Sequence, residues 1–413
     1  MADAQEKAPA LAALVRQGDA QKEADRIAPG IFGVRDISNA YLVTTGDGDV
    51  MINTGFMDNA ARNRDLLAPH RAGPLRAVVL TQSHADHFGG IDTFREGETE
   101  ILAGPGFARN WQDMKRLQPF FAPRSRKLWG ATLKRGTRPA PPPEVTPQEI
   151  ADGHTFTLGE RRFELLHTPE GETTDALSVW LPEERIAFTG NLFGPVWLSM
   201  PNFNTLRGDR PRSVRTFLAS LERVRALGAD ILVTGHGDPI FGAQRIRADL
   251  DRVEAAVSHV LHATLDGMNA GKSLHELMRT VEVPEDIAIA QMHGKTSWTV
   301  KAIWHEHAGW FRYESTTELY GVPQTSIHAD LVELAGADAL ASRARDHAAK
   351  DEPLEAIHLC DIVLHVYPDN TEALGAKHAA LGLLLTASGN ANLSETMWLK
   401  SEMAACEEKL AGA

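Results

Sequence analysis

TQSHADHFGG, residues 81–90, follows directly on the apolar run LRAVVLT of residues 75–81. A β-branched apolar run of that length reads as a buried strand, so residues 81–90 sit at its carboxyl end. His84, Asp86 and His87 fall within four residues on one tight turn. A carboxylate supplies charge and imidazoles supply borderline-soft nitrogen, a mixture that suits a divalent ion such as zinc. Gly89 and Gly90 allow backbone to approach closely. A lone histidine here would read as a core residue. Three ligand types on one turn read as a metal site.

Working outward, ILVTGHG (231–237) places His236 between two glycines just past another apolar run, where it supplies a distant ligand. LLHTPEGETTDAL (165–177) offers His167, Glu170, Glu172 and Asp175, and IAFTGNLF (186–193) offers Asn191. His167, ahead of Thr-Pro, reads as a supporting residue more than a ligand. Four strand ends feeding one edge fit the rule that sites form beyond the ends of strands in layered sheets.

The same periodicities set the organisation. Strands are expected at 40–45, 50–53, 75–81, 163–167, 176–181, 185–189 and 230–234, with a hairpin turn at Gly46-Asp47-Gly48-Asp49. Helices are expected at 58–67 and 213–227, the latter capped by Ser213 and stopped by Gly228. The Pro-rich stretch 139–147 reads as a long surface loop. From about residue 243 the strand signal fades, and 243–265, 328–350, 353–366 and 371–388 read as amphipathic helices. The expectation is an α/β domain over 1–270 and an all-α packing or oligomerisation domain over 271–413. His305 and His307 fall in the helical part and read as structural.

The chain has 413 residues and a formal net charge of −13, an acidic balance that argues against a general nucleic-acid binder. The charge is uneven. Residues 271–413 hold 11 basic and 21 acidic side chains, whereas 104–143 hold nine basic ones against Asp113 alone. That segment reads either as a solvated surface or as a basic loop beside an anion site. Cys360 and Cys406 are too few for a cysteine-based metal framework. No apolar run is long enough to span a bilayer, and no export signal is evident, so a soluble cytoplasmic protein is expected.

The motif set resembles the metallo-β-lactamase superfamily, which carries a strand ending in THxHxDHxGG, then TPG with a ligand, FTGD, and GH near the domain end. NFNTLRGDRPRSVRTFLASLERV (202–224) resembles the alkyl sulfatase branch of that superfamily, and the chain from WHEHAGWF (304–311) onward resembles the branch's helical dimerisation domain. The resemblance implies an αββα sandwich with two metal positions. Asp86, His87 and His236 would form one, and His84 and Glu172 the other. It implies Arg207 on the anionic sulfate head, with Asn202 nearby, since a planar guanidinium meets two oxyanion atoms at once.

Three residues depart from the branch. Gln82 stands where the first His of the motif belongs, Asn191 replaces the acidic bridge between two metals, and Trp129 replaces a Tyr near the sulfate. Gln82 and Asn191 are weak neutral ligands, so one divalent ion, zinc by analogy, is expected at Asp86, His87 and His236, with the other position weak or empty. The expected chemistry is metal-assisted hydrolysis of a small anionic ester, a sulfate ester of an alcohol, by a homodimer. Asp86 and Arg207 would be the catalytic residues, and Arg207, Asn202 and Trp129 would bind substrate. A phosphoester, lactone or thioester hydrolase, or a metal-binding scaffold that has lost activity, are the alternatives.

Overall fold

The computed structural model describes residues 9–133 and 143–412. They divide into two compact units, one of Ala10–Arg126 with Gly130–His307, the other of the chain from Ala308 onward with Lys127–Trp129.

The first unit is built on two sheets. Strands β1 (Asp25–Ala28), β2 (Ile31–Val34), β3 (Ala40–Thr45), β4 (Gly48–Ile52), β5 (Leu75–Leu80), β6 (Glu100–Ala103) and β7 (Gln148–Glu149) lie side by side in sequence order. The second sheet runs β13 (Ile240–Phe241), β12 (Ile231–Thr234), β11 (Ile186–Gly190), β10 (Leu177–Leu181), β9 (Arg161–His167) and β8 (His154–Leu158). Parallel pairing joins β4 to β5, β5 to β6, β6 to β7 and β11 to β12, and the remaining neighbours are antiparallel. Period-two alternation decides the layers. Val43, Val50, Ile52 and Val79 face Phe163, Leu165, Val179, Phe188 and Val233 between the sheets. Leu42, Met51, Val78 and Leu80, one residue out of phase, point to the other side and pack against Leu67, Phe88, Phe107 and Trp111.

After α1 (Ala10–Leu14), those outer residues come from α2 (Ala60–Leu67), α3 (Ala85–Phe88) and α5 (Phe107–Arg116), joined by α4 (Ile91–Phe94), and α6 (Gln118–Leu133) follows. On the second sheet's outer side lie α7 (Val214–Ala226) and α8 (Ala243–Asn269), packed with α9 (Leu274–Thr280) and α10 (Thr296–Ala308). The result is the expected αββα sandwich. Ser213 caps α7 by accepting the Thr216 N–H, and Gly228 follows in the left-handed region at φ 62°.

Leu274, Leu277, Val300 and Ile303 share one core with Leu250 and Val257 of α8, so by packing the first compact unit runs on to His307. The described part of the basic segment is largely the two helices α5 and α6, not a loop, while Lys134, Arg135 and Arg138 lie outside the described residues. Of the Pro-rich stretch, 139–142 also lie outside them, and 143–147 carry no regular structure.

The C-terminal unit is helical: α11 (His328–Ala335), α12 (Ala337–Ala349), α13 (Pro353–Val366), α14 (Thr371–Ser388) and α15 (Leu393–Gly412). Pro353 opens α13, and Asn370 caps α14 by accepting the Ala373 N–H. The span expected as one helix, 328–350, is two, broken at Gly336 with φ 83°. Among the described residues no helix is long and apolar enough to cross a membrane.

Candidate metal centre

Loops at the ends of β5, β9, β11 and β12 converge. Ligand atoms of Asp86, His87 and His236 lie within 4.8 Å of one another. His87 has no solvent exposure, and its Nδ1 is enclosed by Asn53 Nδ2 at 3.0 Å, Ser38 Oγ at 3.1 Å and Thr81 Oγ1 at 3.2 Å. Thr81 and Asn53 hold each other, the Asn53 Oδ1 accepting the Thr81 N–H at 2.9 Å. Ser83 donates to the buried Asp175 carboxylate at 2.9 Å, which Asn110 also holds at 2.6 Å, so the ligand turn is braced from below.

The protonation states suit a cation. Burial pushes His87 down to about 4 against the pull of Asp86, and burial also lowers His236, so both imidazoles are neutral. Burial would raise Asp86, but His87, His236 and His84 outweigh it and hold the carboxyl below its usual range. One carboxylate and two neutral imidazoles around a common point form a donor set that fits a divalent ion.

Beside it stands a second group. His84 Nδ1 is 3.3 Å from Glu172 Oε2, and its Nε2 is 3.6 Å from Asp209. Burial alone would lower His84, yet Asp209 and Glu172 hold it up at about 9. Gln82 Nε2 lies 2.9 Å from His87 Nε2, 3.0 Å from His84 Nδ1 and 3.2 Å from Glu172 Oε2. Asn191 Nδ2 lies 2.9 Å from Glu172 Oε2 and 3.0 Å from His236 Nε2. Arg207 reaches His84 Nε2 at 3.3 Å. Asn202 enters through its main chain, its carbonyl accepting from the enclosed Arg212.

The remaining candidates have other partners. Glu170 accepts the Ser213 N–H at 2.9 Å, and His167 Nε2 meets the Thr174 carbonyl at 2.9 Å. His307 Nδ1 meets the Ile303 carbonyl one turn back. Trp129 takes part in none of the hydrogen bonds and ion pairs described for this site.

Two residues escaped the sequence reading. His293 stands 3.6 Å from Glu172 Oε1 and is buried, which pushes it down to about 4. A short ladder delivers it: Ala290 N–H to Leu198, Met200 N–H to Ala290, and Gly294 N–H to Met200. Gly294 allows this because a Cβ there would sit 2.0 Å from the Pro201 carbonyl oxygen. Its only local signal is the His-Gly pair. Arg212, 3.7 Å from Asp209, is nearly sealed from solvent and was hidden in a run of surface-like arginines.

Comparison with known proteins gives the family and the fold. Residues 33–236 match the metallo-beta-lactamase superfamily model and residues 273–404 the alkyl sulfatase dimerisation model. A linear primary-alkylsulfatase of Pseudomonas sp. (strain ATCC 19151) is 27% identical over 401 residues, covering 90% of this chain and 74% of that one. An (R)-specific secondary-alkylsulfatase of Pseudomonas sp. is 25% identical, covering 91% of this chain and 61% of that one. The structure of the inverting sec-alkylsulfatase Pisa1 from Pseudomonas sp. superposes with a TM-score of 0.82 at 22% identity, over 93% of this chain and 65% of that one. The alkyl sulfatase dimerisation match begins 35 residues before the C-terminal compact unit, so α9 and most of α10 belong to it in sequence and to the first unit in packing. The chain carries a metallo-β-lactamase superfamily domain followed by an alkyl sulfatase dimerisation domain.

Proposed function

We propose that the protein is a metal-dependent sulfuric ester hydrolase that cleaves a sulfate ester of an alcohol. The observation that carries this is the placement of the Asp86–His87–His236 cluster at one sheet edge, next to a strongly charged group formed by His84, Arg207, Asp209 and Arg212. A divalent ion held by Asp86, His87 and His236, zinc by its donor set, supplies Lewis acidity and a bound water acidic enough to ionise near neutrality.

The chain's own residues handle the anion. Arg207 is 27% exposed, and its planar fork offers paired N–H donors to sulfate oxygens. Asp209 holds it on one side, so less orientation is lost on binding. Arg212 is enclosed by the Asn202 carbonyl and Asp209; it positions Asp209 and does not touch substrate. The alkylsulfatase names of the relatives support the bond type, and their spread over primary and secondary esters leaves the alcohol open.

A homodimer through the C-terminal helices completes the reading. Trp310, Tyr313, Tyr320 and Leu334 of that unit are between 68% and 88% exposed, an apolar set that a second copy would cover. Two buried free thiols suit a reducing cytoplasm.

A scaffold without turnover is the second reading, favoured by the amides Gln82 and Asn191 in the site. Zinc-loaded protein assayed on sulfate, phosphate and lactone substrates tests both readings. Sulfate release that falls in Arg207→Ala supports the hydrolase, ion binding without turnover on any ester supports the scaffold, and turnover confined to phosphate or lactone moves the bond.

A further inference from the structure

The superfamily fold leads to an expectation of two metal positions, and the residues here fit only one. We infer that the chain is built for a single ion, and that the side-chain amides of Gln82 and Asn191 occupy in hydrogen bonds the role a second dication would have. The inference rests on the metal-dependent reading above and names how many ions that site takes.

Gln82 and Asn191 are both buried, and their nitrogens converge on one acceptor, Glu172 Oε2, at 3.2 and 2.9 Å. An amide nitrogen has no lone pair to give a metal. Turning either amide over would set its oxygen against the carboxylate oxygen, lone pair against lone pair, so Glu172 fixes both orientations. The cost is visible. Gln82 Oε1 and Asn191 Oδ1 are buried without a hydrogen-bond partner, which a native structure tolerates only where something else is gained.

What is gained is a bridge. Through Gln82, Glu172 is linked to His87, and through Asn191 to His236, while His84 faces the same carboxylate directly. Four N–H bonds of two neutral groups thus tie one carboxylate to two imidazoles, and Asn191 adds no negative charge of its own to bring two dications close together. Gly235 makes room for the arrangement: a Cβ there would lie 2.1 Å from Asn191 Oδ1. An ion would be held by Asp86, His87 and His236, leaving Glu172 to the two amides.

The test is metal stoichiometry of the full chain, by elemental analysis after equilibrium dialysis against micromolar zinc, for the wild type, Gln82→His, Asn191→Asp and the double variant. One zinc per wild-type chain and two per double-variant chain are expected. The Asn191→Asp change sets a second carboxylate beside Glu172, so its melting temperature should rise more on zinc addition than that of the wild type. Cobalt loading of the double variant should give a spin-coupled pair absent from the wild type. Two ions in the wild type, none in the wild type, or one ion in a double variant whose circular dichroism is native would overturn the inference. Sulfate turnover is read separately: one bound ion with no turnover defeats the proposed activity and leaves the ion count standing.

Discussion

Arg207 reaches His84, with its Nη2 3.3 Å from the imidazole Nε2, and one oxygen of Asp209 stands 3.6 Å from each of those nitrogens. Asp209 therefore holds the guanidinium on one side, and its planar fork is offered to an anion. Arg207→Ala should raise KM for a sulfate ester by about 10- to 100-fold, the value of a charge-assisted contact of roughly 1.5–3 kcal/mol. A neutral lactone should be unaffected, and Arg207→Lys should restore only part of the loss because an ammonium lacks the planar fork. Steady-state kinetics on both substrates check this.

His236→Ala removes one of three ligands and should weaken zinc binding by more than the roughly 10–100-fold typical of a supporting residue. Asp175→Asn, which perturbs the brace under the ligand turn, should fall within that range. Competition with a chromogenic chelator separates the two.

Gly235→Ala tests the crowding around Asn191. The added Cβ would also lie 3.0 Å from His87 Cε1, so a loss of about 1–3 kcal/mol in urea unfolding is expected. Gly97→Ala, with nothing within 4 Å of its Cβ, should change stability little.

Asp152 carries a pH signature away from the site. The Arg223 guanidinium holds its carboxyl below the ordinary 3.8, and the His167 N–H adds to this. A depressed carboxyl stabilises the fold above its unfolded value, and the contribution is lost as pH falls through the folded one. The pair is half exposed, so Asp152→Asn should cost less than about 1 kcal/mol at pH 7. The difference between the two proteins should shrink as urea titrations are repeated from pH 5 toward pH 3.

Cys360 and Cys406 are both buried, and burial pushes the Cys360 thiol up to about 12. Ellman's reagent at pH 8 should label neither in folded protein and both after unfolding.

Much of this was legible before any coordinates. Short-range chemistry was the clearest: His84, Asp86 and His87 share one turn, and Ser213 caps the helix its position announced. The layers came from the family resemblance, since Val50, Met51 and Ile52 are all apolar and only the fold shows them facing opposite sides in turn. What escaped depended on distant contact. His293 reaches Glu172 only because residues 198–200 pair with 290–294, and nothing within five residues of it announces that. Gly336 splits an otherwise continuous helical pattern through its backbone angle alone. Gln82 and Asn191 read as weakened ligands, and only their shared acceptor, Glu172, shows them acting as donors.

The central claim is sulfate ester hydrolysis at the Asp86–His87–His236 centre, and the most direct measurement is release of inorganic sulfate by zinc-loaded protein from a panel of primary, secondary and aryl sulfate esters. Sulfate and alcohol should appear in equal amounts from at least one ester, with release abolished by chelation and restored by zinc. Protein with its ion bound that releases no sulfate from any of them would contradict the claim.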